Sequence, residues 1–382
     1  MFVGLTLAHA VFDAHAAGML VGAWAAATRG ELNGVPKAPG GYAPLAAMGR
    51  GTTVAASEFK GVEDDSEDVG FGLPRKSTAT AASTSEGDKL SSNLPSDRPL
   101  VYFAPFPFAK AVSFIIRFAW KLIKDPEEER IVFRIPKEWA RAEKERMVQE
   151  LAGPGTGIPL RQDSADSGAT RGDDSAGLWL STNDVLSAHI FRWVNMHRLA
   201  ETSSTTKRIT LHTALNLRLI APKDFATHPS VSNCIFSTGT QELPVSALED
   251  TTSIARAVRE SVNLVKEDQV KLLEAVRANA SLEPGSIVYP CAPGQTYALL
   301  SSWTSARLAG HPFQLHESAS RPTRPDWVVA YLQDKPGTPM RNTGAVFSDD
   351  GEAFWVGWWV GKKEWTRLEK ALRERGEVQF AD

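Results

Sequence analysis

Residues 34 to 98 decide most of what this chain can become. "GVPKAPGGYAPLAAMGRGTT" leads into the acidic "EDDSED" and then "KSTATAASTSEGDKLSSNLPSDRP". No apolar periodicity survives in this stretch, and so polar a composition cannot repay the entropy of ordering it. It is also far longer than the connections used inside compact units. A core must therefore come from residues 1 to 32 and from the chain after about residue 100. We expect the part from about residue 50 to 98 to be dispensable for folding and to be cut first by a protease.

What remains is ample. The chain has 382 residues, 42% of them apolar and 23% charged, enough for two domains with a sizeable core. A net charge of -3 gives no handle for nucleic acid or an anionic membrane as the main partner. Cys234 and Cys291 can build neither a disulfide framework nor a thiolate zinc cage. Residues 1 to 27 lack the basic leading region of a secretory signal. A reducing, cytoplasmic location is the simplest expectation.

"VYFAPFPFAKAVSFIIRFAWKLIK", residues 101 to 124, is too short and too charged to span a bilayer. Lys110, Arg117, Lys121 and Lys124 share one side of a helix, which makes the segment amphipathic. Of its two uses, docking on the protein's own core is the expectation, ahead of lying on a membrane surface.

After residue 129 the pattern is regular. Ile131, Phe133 and Ile135 alternate as in a strand, and Pro136 opens a helix over about 137 to 151. A polar surface loop follows. Ser181 or Thr182 caps a helix whose apolar positions are Val185, Leu186, Ile190, Trp193 and Val194. "KRITLHTALNLRLIAP" alternates as a strand, and "PVSALEDTTSIARAVRESVNLVKEDQVKLLEAVRANA" reads as helix. "GAVFSD" and "AFWVGWWVG" flank "DDGE", a hairpin turn of the Asp-Gly kind, and the Trp-rich strand should have one wet face. A closing helix stops at Gly376. Mixed elements in this order point to α/β or α+β layers.

The N-terminal "GLTLAHAVFDAHAAGMLVGAWAAATRG" runs strand, His9, Asp13, helix. Neutral imidazole at a strand mouth is the side chain best suited to take a proton near neutral pH. An acid one turn later can fold inward and hold the loop through an arginine. The plain reading, a satisfied histidine at a core edge, competes with this for an isolated H-x3-D. His9, Asp13 and His15 are also candidate metal ligands. A zinc site takes three or four ligands, however, and positions 9 and 15 face different sides of a helix. We expect no metal.

The surrounding landmarks sharpen the reading. "LTLAHAVFDA" resembles the H-x3-D-G signature of the BAHD-type acyl-CoA-dependent acyltransferases, above all their fungal trichothecene 3-O-acetyltransferase-like branch. "LSTNDVLSAHIFRWV" is similar to that branch's "STND" helix. "ALNLRLIAP" with the later "SNC", and "LLSSWTSARLAGHPF", resemble its arginine segment and its Thr-Ser-Trp strand, in the same order. The resemblance implies two chloramphenicol-acetyltransferase-like domains, the first incomplete. Residues 1–40 would be the remnant carrying His9 and Asp13. Residues 41–128 would hold the polar insertion and a crossover with the amphipathic helix. Residues 129–382 would be the second domain.

It further implies direct acyl transfer from acyl-CoA, with acetyl-CoA as the natural co-substrate and no permanently bound cofactor. The acceptor would be a hydroxyl, less readily an amine, of a small secondary metabolite. His9 would be the general base and Asp13 structural, with Arg218 its ion-pair partner. Ser301 and Trp303 would line the acceptor side and donate to the tetrahedral oxyanion. A monomer without membrane span or nucleic-acid partner is expected. Two positions depart from the family. Its Gly after the Asp is Ala14, a strained choice if positive φ is needed there. Its D-F-G-W-G segment is replaced by "HESAS", His316 to Ser320. These departures keep a second reading open, a non-catalytic acyltransferase-like scaffold that binds a metabolite or partner. The chain also starts inside the strand that delivers His9, so we expect it to be an N-terminally incomplete version of a longer enzyme.

Overall fold

The computed structural model describes residues 13–31, 99–105, 107–152, 179–200, 207–219, 235–280, 282, 288–293, 295–314, 321–325 and 340–376. His9, Cys234, His316 to Ser320 and the whole 34 to 98 stretch lie outside the described residues.

The fold is a mixed α/β layer built on one large sheet. In chain order the described elements begin with α1 (Ala14–Thr28), β1 (Val101–Tyr102), β2 (Ala104–Pro105) and α2 (Phe108–Lys124). They continue with β3 (Glu128–Pro136), α3 (Lys137–Ala152), α4 (Thr182–Asn195), β4 (Arg208–Asn216), β5 (Ile235–Gly239) and β6 (Leu243–Pro244). Then come α5 (Thr251–Glu267), α6 (Gln269–Ala280), β7 (Val288–Tyr289), β8 (Thr296–Ser302), β9 (Thr343–Asp349), β10 (Ala353–Gly361) and α7 (Lys362–Arg375). The sheet order is β1-β5-β4-β8-β9-β10-β3, with β6 on the flank of β4. β4, β8 and β9 run parallel and the remaining pairs antiparallel. β1, which precedes residue 129, hydrogen-bonds into this same sheet through Val101 and Tyr102.

Strand alternation places Ile131, Phe133 and Ile135 on the face covered by helices, where Val356, Trp358 and Val360 of β10 join them. Helix α4 is the centre of that layer. It is buried on every side, so its polar residues need partners. Ser181 and Asp184 form a capping box, and the Asp184 carboxylate also accepts from Arg259 Nε of α5 at 2.8 Å.

Three expectations change. The 245 to 280 stretch is a short 3-10 turn, Val245–Glu249, followed by α5 and α6, which break at Asp268, whose carboxylate accepts from the Lys271 amide at 2.9 Å. The apolar period runs unbroken across a capping aspartate, so periodicity alone hides it. The second half of β10 has no wet face, because the Arg130 side chain of β3 lies over its outer side at Gly357 and Trp359. Trp359 is buried with the Arg130 guanidinium 5.1 Å from its ring centroid. Most consequentially, no residue of α2 is buried among the described residues, so its apolar side does not dock on the core as expected.

Two buried histidines make acid sensitivity predictable. His212 lies against the Phe103 ring with Nε2 2.6 Å from the Pro290 carbonyl, and His189 sits edge-on to Trp139 beside Glu143. Burial pushes both down to about 4. The unfolded chain then gains protons at a higher pH than the folded one. Their contribution is whole above about pH 6.5 and is lost as pH falls toward 4, about 3 kcal/mol each at the lower limit. Denaturant midpoints measured at successive pH values should fall across this window, and less in His212→Gln. A flat profile would mean that both rings ionise freely in the fold.

Candidate active site

The described part of the site is built on the first residue of the described chain. Asp13 has extended backbone and caps α1, its Oδ1 accepting from the Ala16 amide at 2.8 Å. Its Oδ2 accepts from Arg218 Nη1 at 2.8 Å, across a sequence separation of 205 residues. Arg218 lies in the single turn Leu217–Leu219 that ends β4, and Asn216 Oδ1 braces it by accepting from its amide and from Nη1 at 3.1 and 3.2 Å. Asp13 is 3% exposed and Arg218 9%. The pair therefore fixes where α1 starts, Asp13 lying four residues after His9 in the sequence.

Ala14 occupies the first helical position, and it is not among the residues with positive φ. The strain anticipated for replacing glycine there is absent, since a helix start asks for ordinary right-handed angles.

Helix α1 is fastened to the segment that follows β8. Gly18 lies so close to the Ala306 carbonyl that no side chain fits, and a Cβ on Gly22 would come within 2.9 Å of the His311 ring. Trp24 meets Phe313 edge-on at 5.5 Å, and Thr28 Oγ1 accepts from the Gln314 amide at 3.0 Å. The small residues of "HAAGMLVGA" serve this close approach. Their i, i+4 glycines were the readable sign of it, and Asn216 had no sign of its own.

Ser301 and Trp303 stand where β8 ends. The Trp303 amide donates to the Val346 carbonyl at 2.8 Å, which sets the indole, and its Nε1–H donates to Ser301 Oγ at 3.1 Å. The indole proton is thus committed, while the Ser301 hydroxyl keeps a proton of its own to give. Ser302 and Thr304 hydroxyls lie 3.0 Å apart beside them. The structure brings Asp13 to Arg218 and Ser301 to Trp303, and it joins the two pairs through the packing of α1 on Thr304–Ala306.

His15, two residues beyond Asp13, is half-buried, and its Nδ1 has no hydrogen-bond partner. Burial and then the nearby Arg218 charge hold its proton affinity below the ordinary value, so it is neutral at pH 7. Both Asp13 oxygens are engaged by Ala16 and Arg218, which leaves little to offer a metal. Among the described residues no group of three or more metal-ligating side chains converges. No described helix is long and apolar enough to cross a membrane.

A cavity of about 570 Å³ lies at the other end of the strands, by the start of β4 and β8, lined by Tyr102, Arg208, Tyr289, Cys291 and Gln295 among others. Burial pushes the Cys291 thiol up to about 12, so it carries no thiolate at neutral pH.

No family profile matches this chain, and no curated protein matches it. Solved structures do resemble it. TRI101 of F. sporotrichioides, complexed with coenzyme A and T-2, is 16% identical and covers 75% of this chain and 53% of its own, with a TM-score of 0.44. Vinorine synthase is 15% identical over 95% of this chain and 59% of its own, TM-score 0.46. TRI3 trichothecene 15-O-acetyltransferase from Fusarium sporotrichioides is 9% identical over 70% and 52%, TM-score 0.39. The chain spans somewhat over half the length of these three. At such distances the chemistry must be argued from this chain's own residues.

Proposed function

We propose that this chain is an acyltransferase that moves an acyl group from acyl-CoA to a hydroxyl of a small acceptor, with His9 as general base. The observation that supports it most is the buried Asp13–Arg218 pair, which holds the helix just after His9 in place. With the acid so used, the imidazoles beside it in sequence, His9 and His15, are the groups able to take a proton, and the resemblance to the H-x3-D-G signature favours His9. The Ser301 hydroxyl is the candidate donor to the oxyanion that forms when the acceptor oxygen attacks the thioester carbonyl. The expelled thiolate takes the proton that His9 removed from the acceptor, so no acyl-enzyme is required. The buried, protonated Cys291 agrees with direct transfer. In this reading the strands of the sheet other than β1 belong to the second of two chloramphenicol-acetyltransferase-like domains, residues 129–382. β1 reaches it from the crossover segment, and His9 and Asp13 belong to what is present of the first.

The test is release of free CoA from acetyl-CoA and longer acyl-CoAs against panels of small alcohols and amines, with products identified by mass spectrometry. Acceptor-dependent CoA release with an ester product supports the proposal. Tight binding of a metabolite without thioester consumption would instead establish the scaffold reading, which the commitment of the Trp303 indole proton to Ser301 keeps in play.

A further inference from the structure

Helix α2 presents three different stripes. Phe114 and Phe118 turn to the body, where Phe114 stacks on Phe118 and meets the Tyr289 ring edge-on at 4.7 Å. Phe108, Val112, Ile115, Ile116, Trp120 and Ile123 look the other way, with Phe108 85%, Ile116 63% and Ile123 71% exposed. Between them runs a third stripe of exposed cations, Lys110, Arg117, Lys121 and Lys124, with no acidic residue anywhere in the helix. Trp120 marks the border of the apolar and cationic stripes, and the Lys124 ammonium sits 5.1 Å from its ring centroid.

The helix is not a loose end. Just ahead of it β2 pairs with β7. Just behind it the Asp125 carboxylate accepts from the Lys363 and Glu364 amides at the start of α7, and Arg341 Nη1 lies 3.7 Å from the same carboxylate. The apolar stripe is therefore held facing outward by the fold itself.

We propose that α2 is an in-plane anchor for the surface of an anionic lipid bilayer. The aliphatic stripe would enter the boundary between headgroups and acyl chains, with Trp120 at its edge. Lys110, Arg117 and Lys124 would meet lipid phosphates and carboxylates. Charge selects this occupant over a second copy of the chain. Pairing two such helices would bring two all-cationic stripes together with no carboxylate of either helix to offset them. A bilayer also accepts a stripe of mixed aliphatic and aromatic shapes without needing a matched groove. This inference stands apart from the proposed acyl transfer and can fail without it.

The test is co-sedimentation of the full chain with vesicles of phosphatidylcholine alone and of equal parts phosphatidylcholine and phosphatidylserine. Binding is expected to the second, and it should weaken as salt is raised. Lys110→Ala and Arg117→Ala should each lower it roughly fivefold. Ile116→Asn should lower it roughly tenfold. Because Ile116 is exposed, that variant should keep the wild-type thermal midpoint. Absence of binding to either vesicle would overturn the proposal, and so would equal binding to both without salt dependence. A lipid-free dimer, seen by light scattering and broken by Ile116→Asn, would assign the face to protein contact instead and overturn it too.

Discussion

His9→Ala protein is expected to release CoA roughly 10²- to 10⁴-fold more slowly than the parent, the usual cost of losing a general base, with an unchanged thermal midpoint. The assignment of His9 comes from the resemblance of "LTLAHAVFDA" to the H-x3-D-G signature, and the described groups near the start of α1 are compatible with it. Asp13 cannot serve as base, because one carboxylate oxygen caps the helix and the other holds Arg218. His15 is neutral at pH 7, yet its unpartnered Nδ1 is buried within the protein. His15→Ala is therefore the informative control, and it should lose far less activity than His9→Ala. Near-parental turnover in the His9 variant would remove it from the mechanism. A collapse confined to His15→Ala would move the base two residues beyond Asp13 and require the acceptor to enter from the α1 side.

The parts of the fold that were legible in the sequence are those written in local chemistry. The β9–β10 turn follows from its Asp-Gly pair: Gly351 takes positive φ, and Asp350 Oδ1 accepts from the Glu352 and Ala353 amides at 2.9 and 2.7 Å. Gly376 ends α7 in the left-handed conformation that glycine tolerates best. Ser181 announces α4 three residues before Asp184. That Asp184 would then be buried against Arg259, 75 residues away, was not legible, because no period links two helices across a layer. The same limit explains β10. Alternation predicts one inner and one outer face, but the Arg130 side chain that covers the outer face at Gly357 and Trp359 comes from β3, which no period within β10 reveals.

Helix α2 shows the complementary case. Its period was plain, and its partner was inferred from the rule that apolar faces dock on the nearest core. The rule fails because the helix is seated through Phe114 and Phe118 and fastened at both ends by the β2–β7 pairing and by Asp125, which leaves the larger aliphatic stripe outside. At the candidate site, His9, Asp13, Arg218, Ser301 and Trp303 were singled out by resemblance and order rather than by spacing. The spacing of Gly18 and Gly22, which bring α1 against Ala306 and His311, was there to be read and was not used. Asn216 escaped both routes, since bracing an arginine two residues on leaves no mark beyond an ordinary strand end.

The second large effect concerns stability. Arg218→Met leaves the Asp13 carboxylate buried without its counter-charge, and is expected to cost about 3–5 kcal/mol in denaturant unfolding. Asp13→Asn should be comparably costly for the opposite reason, stranding a buried guanidinium. The helix cap is not at issue in that variant, because asparagine caps as well as aspartate. Asp13→Ala should be worse by about a further 1 kcal/mol, the worth of the cap itself. The double variant Asp13→Asn/Arg218→Met removes both charges and should destabilise by clearly less than the two single changes together, with a coupling of about 1–3 kcal/mol. Strict additivity would mean that the charges do not interact across the start of α1. The cycle also bears on the chemistry. If the pair is what sets the approach to His9, the double variant should be less destabilised than the sum of the single changes while turning over slowly. Recovery of turnover along with stability would instead make the pair a fastening of α1 and nothing more.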